Sequence, residues 1–215
     1  MSKYLRDELR NLKEYVPGEQ PKESENIIKL NTNENPYPLS PKAVKAIEDY
    51  ELIRTKLYPN PTNEPLCAAL GEFYNLSSKN VIVGNGSDEI LGFAFLAYGA
   101  NGRKVYFPRY GYGFYPVYAE LFASNRIPVE QKNFKIDITD YFGKEGMIVI
   151  ANPNAPTGLA LSKDEIEEIL KNAKTAIVII DEAYVDFGAE SAADLIPKYD
   201  NLIVVGTFSK SRSMA

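Results

Sequence analysis

The chain has 215 residues, 29 acidic and 24 basic, with a formal net charge of −5 at pH 7, so one large domain or two small ones are expected. The mild acidic excess argues against nucleic acid as the main partner, because phosphate contacts require a basic surface. With no histidine and one cysteine, Cys67, the chain excludes Ser-His-Asp and Cys-His catalysis, an internal disulfide and most zinc sites, and we expect no metal.

The N-terminus predicts no targeting signal. Residues 1–8 lack the apolar core of a signal peptide. No stretch reaches the ~18 apolar residues that a membrane span requires. We therefore expect a cytoplasmic protein with no membrane contact.

The first third of the chain predicts two helices behind a polar arm. Residues 1–30 are polar and interrupted by prolines, which indicates a short helix followed by an extended arm. Ser40 and Pro41 form a typical helix start, and that helix should run to about Glu51. A second helix is predicted at 64–74.

From residue 81 onward, apolar strands alternate with helices. We predict strands at 81–83, 104–107, 126–129, 147–151, 175–180 and 202–205, and helices at 87–98, 112–122 and after a capping box formed by Ser162 and Glu165. Continuous Val/Ile runs separated by helices indicate an α/β fold, in which a mostly parallel sheet is covered on both faces. Ligands bind such sheets at the carboxyl ends of the strands.

Five successive predicted strands are each followed by a segment whose groups could bind a ligand. Taken singly, each has a structural explanation: a glycine turn, an aromatic core edge, a proline loop, an ion-paired carboxylate and a surface lysine. Together they offer a phosphate turn, an aromatic platform, amides, a carboxylate and an amine, which suits a charged heteroaromatic phosphate ester. The segments are 84–89, 108–112, 152–158, 181–184 and 207–210.

Six motifs in order resemble the fold-type I aminotransferases, which depend on pyridoxal phosphate, and within them the histidinol-phosphate aminotransferases. The resemblance runs from about Leu30 to Ala215, and it is more specific for fold and cofactor than for substrate. The motifs are Asn33-Glu34-Asn35-Pro36-Tyr37, Leu57-Tyr58-Pro59, Gly86-Ser87-Asp88-Glu89, Asn154-Ala155-Pro156-Thr157-Gly158, Asp181-Glu182-Ala183-Tyr184 and Ser209-Lys210.

The resemblance implies three catalytic residues. Lys210 would be the Schiff-base lysine that also moves the proton. Asp181 would pair with the pyridine nitrogen of the cofactor, and Tyr184 would hydrogen-bond its phenolic oxygen. A carboxylate beside the ring nitrogen keeps that nitrogen protonated, and the protonated ring then acts as an electron sink.

The resemblance also implies a set of cofactor-binding residues. Tyr110 would stack on the pyridine ring, and Asn154 is a candidate amide contact. Tyr58 would reach the phosphate from the neighbouring subunit, which implies a homodimer. The residues expected around the phosphate are Ser87, Asp88, Thr207 and Ser209.

Two features depart from the family pattern. Where the family often has an asparagine bonded to the phenolic oxygen, this chain has Ala155, and either Asn154 or Asn152 could supply that contact. The family also continues into a phosphate-binding arginine and a C-terminal small domain. We therefore expect residues 1–30 to form the arm and 31–215 a truncated cofactor-binding domain that alone is unstable or inactive.

The implied reaction is amino transfer between histidinol phosphate and 2-oxoglutarate. An aromatic or broad-range aminotransferase and a threonine-phosphate-type decarboxylase are alternatives, because all begin with the same cofactor chemistry. From other classes, a non-catalytic fragment and a nucleotide-binding module remain open. The latter is weakened because Glu89 stands where a G-x-G-x-x-G motif needs its last glycine.

Overall fold

A computed structural model describes residues 3–5, 9–10, 18 and 27–215. Most of the helix and arm predicted for residues 1–30 therefore lies outside the described residues. In the described ranges, no helix is long and apolar enough to cross a membrane.

Five strands form one sheet in which every neighbouring pair is parallel. Its order is β2-β1-β3-β4-β5. The strands are β1 (Lys104–Pro108), β2 (Asn125–Val129), β3 (Gly146–Ala151), β4 (Ala176–Asp181) and β5 (Leu202–Val205). These five strands were all predicted from their apolar runs, and the parallel α/β fold is confirmed.

Five α-helices accompany the sheet. They are α1 (Pro41–Glu48), α2 (Glu64–Tyr74), α3 (Gly86–Ala94), α4 (Tyr115–Leu121) and α5 (Lys163–Asn172). Ser40 caps α1, and Ser162 with Glu165 forms the predicted capping box of α5. The helix predicted at 87–98 leaves α geometry after Ala94 and continues as a π-helical turn at Phe95–Gly99. The one predicted at 112–122 starts only at Tyr115, next to a proline in its first turn.

Residues of alternating sequence position pack on opposite faces of the sheet. On β3, Ile148 packs in one core with α5, whereas Met147 and Val149 pack in the other with α3 and α4. Helices therefore cover both faces, which gives the three layers expected from the sequence.

The strand predicted at Val81–Val83 is wrong. Val81 is extended, but no strand of the described chain pairs with this segment. Ile82 is 72% exposed, so the segment lacks the neighbours that would satisfy a strand's backbone groups. Its apolar composition predicted a strand, but composition alone does not supply a partner.

The strand order places a crevice at one edge of the sheet. The chain runs from β1 to β2 on one side and then returns to place β3 on the other side of β1. Loops after β1 and β3 therefore diverge, and a crevice opens between them at the carboxyl ends of the strands. The segments after β1, β3, β4 and β5 all lie at this edge.

Candidate active site

Lys210 lies in the segment that follows β5 and is half-buried. Its Nζ donates a hydrogen bond to the Thr32 carbonyl oxygen at 3.1 Å. The same Nζ lies 5.9 Å from the centroid of the Tyr184 ring. The structure thus brings together two of the three predicted catalytic residues, which come from the ends of different strands.

The segment 32–37 packs over the loop that carries Lys210. Asn33 Nδ2 donates to the Tyr184 hydroxyl at 3.0 Å. Asn35 Nδ2 donates to the backbone carbonyls of Lys210 and Ser211 at 3.0 and 3.2 Å. This segment therefore holds both Tyr184 and the Lys210 backbone in position, a role that the motif alone did not reveal.

Asp181 is the last residue of β4 and is only 4% exposed. Its Oδ2 accepts a hydrogen bond from the Tyr115 hydroxyl at 2.7 Å, and its Oδ1 accepts one from the Ala183 N–H at 3.1 Å. Burial raises the pKa of Asp181 to about 6, and the nearby Asp88 charge adds to this, although both hydrogen bonds act in the opposite direction. A cationic donor at this carboxylate would be stabilised strongly.

Glu182 follows Asp181 but serves a different contact. Its two carboxylate oxygens accept hydrogen bonds from the Ser191 hydroxyl and the Ala192 N–H, each at 2.7 Å. Burial raises the pKa of Glu182 to about 7. This carboxylate therefore anchors the 191–192 loop and is already supplied with two donors.

The loop after β3 meets the loop after β1 through Asn154. The Asn154 Nδ2 group donates to the Tyr110 carbonyl at 2.8 Å and to Thr157 Oγ1 at 3.0 Å. The Tyr110 ring contacts Phe134 edge-on at 5.3 Å and remains 44% exposed. An exposed ring at the crevice can stack on a flat ligand.

Both asparagines considered as a substitute at Ala155 already make side-chain contacts that hold loops. Asn152 is buried, and it both donates to the Leu161 carbonyl at 3.1 Å and accepts from the Leu161 N–H at 2.7 Å. Asn154 uses its amide hydrogens as described, and the atom it leaves buried without a partner is the acceptor Oδ1. Both asparagines are therefore engaged in holding loops.

The glycine turn before α3 has the backbone of an anion site. Gly86 has a φ of +76°, which favours glycine, and α3 begins at this residue. Ser87 follows in the first turn, where N–H groups are free of helical partners. The Asp88 carboxylate accepts from the Tyr112 hydroxyl at 2.9 Å, so Asp88 can meet a phosphate only through its N–H.

The remaining predicted residues divide into those near the crevice and one far from it. Thr207 and Ser209 are linked by a 3.0 Å hydrogen bond between their hydroxyls, directly before Lys210. Tyr58 is 100% exposed, and this chain does not bring it to the other residues. Arg212 Nε donates to Asp186 Oδ2 at 3.2 Å, so its guanidinium ties the loop that carries Lys210 to Asp186.

Tyr115 is the site residue that sequence reasoning missed. It lies three residues beyond the aromatic segment 108–112 that was singled out after β1. The available signal was chemical: a buried Asp181 requires donors, and the tyrosines that follow β1 carry hydroxyls that can donate.

Comparisons with known proteins show the family to which the chain belongs. The family model "Aminotransferase class I and II" matches residues 25–215. Histidinol-phosphate aminotransferases from Brachyspira hyodysenteriae and Lactococcus lactis subsp. cremoris are 52% and 49% identical, over 100% and 96% of this chain but 61% and 58% of their own lengths. The chain thus spans about three fifths of the curated relatives it matches.

The fold of this chain is similar to that of solved structures. The crystal structure of histidinol-phosphate aminotransferase from Sinorhizobium meliloti, in complex with pyridoxal 5'-phosphate, superimposes with a TM-score of 0.78. It is 22% identical, and the match covers 85% of this chain and 52% of that one.

Proposed function

Because the chain belongs to the class I and II aminotransferase family, we propose that the complete protein is a pyridoxal-phosphate-dependent aminotransferase. Its proposed reaction moves the amino group of histidinol phosphate to 2-oxoglutarate in two half-reactions. The identity to histidinol-phosphate aminotransferases over the whole chain supports this choice of substrate.

The observation that carries the proposal is the buried carboxylate of Asp181 at the same sheet edge as Lys210 and Tyr184. Among the described residues, Asp181 has one hydroxyl and one N–H as donors, and burial raises its pKa to about 6. A protonated pyridine nitrogen would add the charged donor that this carboxylate lacks. The residues present therefore fit pyridoxal phosphate.

Each residue has a proposed task. The cofactor, when bound, supplies an electron sink for the bond broken at the substrate carbon. Lys210 holds the cofactor and moves the proton, Asp181 keeps the ring nitrogen protonated, and Tyr110 covers a face of the ring. The Tyr184 hydroxyl accepts from Asn33, so its own hydrogen can be donated to the phenolic oxygen.

The phosphate would lie at the start of α3. N–H groups of Ser87 and Asp88 can point at an anion there, and the helix dipole favours negative charge. Hydroxyls of Thr207 and Ser209 are proposed to complete this site from the end of β5. The Asp88 carboxylate is turned to Tyr112 and would not oppose the phosphate directly.

We also propose that a second copy of the chain covers the surface formed by residues 41–58. Neither α1 nor the 3₁₀ segment Leu52–Lys56 has a buried residue. Ile53 is 68% exposed and Leu57 62% exposed, so no part of the chain that the structure describes covers this apolar face. In a homodimer, the exposed Tyr58 is free to reach the partner's phosphate site. The cytoplasmic location stays a prediction.

The proposed reaction is tested by comparing amino donors with the complete, cofactor-loaded protein. With 2-oxoglutarate as acceptor, we expect kcat/KM for histidinol phosphate to exceed that for phenylalanine by at least about tenfold. Threonine phosphate is assayed in parallel for transamination and for release of carbon dioxide. Equal or greater activity on phenylalanine or threonine phosphate would replace the proposed substrate by one of these alternatives.

A further inference from the structure

The structure assigns to Asp181 a hydrogen-bond partner from the buried core. Tyr115, the first residue of α4, is fully buried, and its hydroxyl lies 2.7 Å from Asp181 Oδ2. The residues are 66 positions apart in sequence, so this contact depends on the fold, which brings the first residue of α4 to the last residue of β4. Burial and the neighbouring Asp181 charge raise the pKa of Tyr115 well above its usual value, so the hydroxyl keeps its proton and is the donor.

The Tyr115 ring has little freedom to move. It packs between Phe95 and Phe107, at centroid distances of 6.4 and 6.2 Å. Tyr112 meets it edge-on at 5.4 Å and in turn donates to Asp88. A hydroxyl on a ring held in this way is a preorganised donor, which costs little to orient when the carboxylate is charged.

We propose that Tyr115 is a positioning residue, whose hydroxyl fixes the Asp181 carboxylate and keeps it ionised for the ring nitrogen of the cofactor. The inference rests on the proposed function, since it concerns the partner of the cofactor's ring. Tyr115 does not touch the cofactor; it acts through Asp181. Without this bond, one oxygen of a buried carboxylate would lose its donor.

The other groups that face Asp181 do not substitute for Tyr115. Asp88 at the start of α3 and the adjacent Glu182 are acidic, and the Asp88 charge disfavours ionisation of Asp181. Its strand neighbours, Ala151 on β3 and Val205 on β5, carry no titratable group. Within the part of the chain that the structure describes, the Ala183 N–H is the one donor to Asp181 besides Tyr115.

The test compares Tyr115→Phe with Tyr118→Phe in the complete protein. Tyr118 lies on the same helix and is 5% exposed, and its hydroxyl donates to the Asp88 carbonyl at 2.7 Å. Each change removes one hydroxyl from the same aromatic cluster, but only the first removes a donor to Asp181. A purely structural effect should therefore be similar in the two variants.

The first readout is the Asp181 pKa in cofactor-free protein. It is obtained from the pH dependence of a carboxyl infrared band, which is assigned to Asp181 because Asp181→Asn lacks it. We expect Tyr115→Phe to raise this pKa by about one unit, a tenfold change in the ionisation constant, and Tyr118→Phe to leave it unchanged. An unchanged pKa in Tyr115→Phe would overturn the inference. This readout needs no cofactor, so it is separate from the fate of the proposed function.

The second readout is the dissociation constant of pyridoxal phosphate as a function of pH. If the cofactor binds the ionised carboxylate, the ratio of the Tyr115→Phe constant to the wild-type constant should rise from about one at pH 8 to about five at pH 6. Tyr118→Phe should give a ratio that does not change with pH. Wild-type protein that fails to bind the cofactor refutes the proposed function, whereas a pH-independent ratio for Tyr115→Phe refutes the role of Tyr115.

Discussion

At the scale of single residues, Ala155 is the position where this chain departs from the pattern of its family. Its half-buried side chain lines a cavity of about 260 Å³ together with Asn33 and Tyr184. Asn154 uses both amide hydrogens on loop contacts, and the buried Asn152 is held by its contacts to Leu161. Tyr184 is therefore left as the expected donor to the phenolic oxygen.

Replacing Ala155 by asparagine should restore a second donor. We expect Ala155→Asn to bind pyridoxal phosphate about fivefold more tightly, because a net hydrogen bond contributes about 1 kcal/mol. The measurement is a fluorescence titration of cofactor-free protein. Ala155→Leu is the matched control, since it has a similar size but neither an amide donor nor a charge. Equal affinities of the two variants would show that no donor is missing at this position.

How far the site could be predicted depends on whether a residue's role is local. Lys210 and Asp181 were singled out as candidates because each stands at or after the end of an apolar strand, and the carboxyl ends of parallel strands share one sheet edge. Tyr115 was missed because its role depends on a contact across 66 positions that no periodicity encodes. The carboxylate's need for a donor was readable from the sequence; the identity of that donor was not.

At the scale of elements, buried strands were predictable and unpaired ones were not. The apolar runs at β3 and β4 are buried on both faces, so composition alone identified them. The run at Val81–Val83 has the same character but no strand beside it in the described chain. A segment forms a strand only where a second strand pairs with it, and the sequence of the segment does not show whether such a partner exists.

Helix starts followed local chemistry more closely than helix lengths did. Ser40 and Ser162 cap their helices as their sequences indicated. α4 begins three residues later than predicted at Tyr115, after the glycines 111 and 113 and beside Pro116. Glycines make the first part of this segment costly to hold in a helix, and a proline is accepted best in the first turn.

At the scale of the whole molecule, the surface of residues 41–58 predicts an oligomer. Ile53 is 68% exposed, so in an isolated subunit its replacement by glutamate should have little effect on folding. At an interface, the same change would bury an unpaired carboxylate, which costs several kcal/mol. We expect Ile53→Glu to weaken dimerisation by about 100-fold or more.

Analytical ultracentrifugation of the complete protein checks this prediction. Ile53→Val is the control, because it keeps an apolar side chain at the same place and should leave the dimer intact. Cofactor affinity should fall with the dimer if Tyr58 reaches across. A wild-type protein that sediments as a monomer, or a stable Ile53→Glu dimer, would contradict the proposed use of this surface.

The central claim is that Lys210 holds pyridoxal phosphate covalently, and borohydride reduction followed by peptide mass mapping tests it most directly. Borohydride adds hydride to the carbon of the C=N bond between lysine and cofactor, and the C–N single bond that results does not hydrolyse. We predict a visible absorption band in the cofactor-supplied complete protein and, after reduction, the added mass on the peptide that contains Lys210. Lys171→Ala, which removes an exposed lysine of α5, should keep both signals. Lys210→Ala should lose them. A Lys210→Ala variant that retains the band, or added mass on another lysine, would contradict the claim.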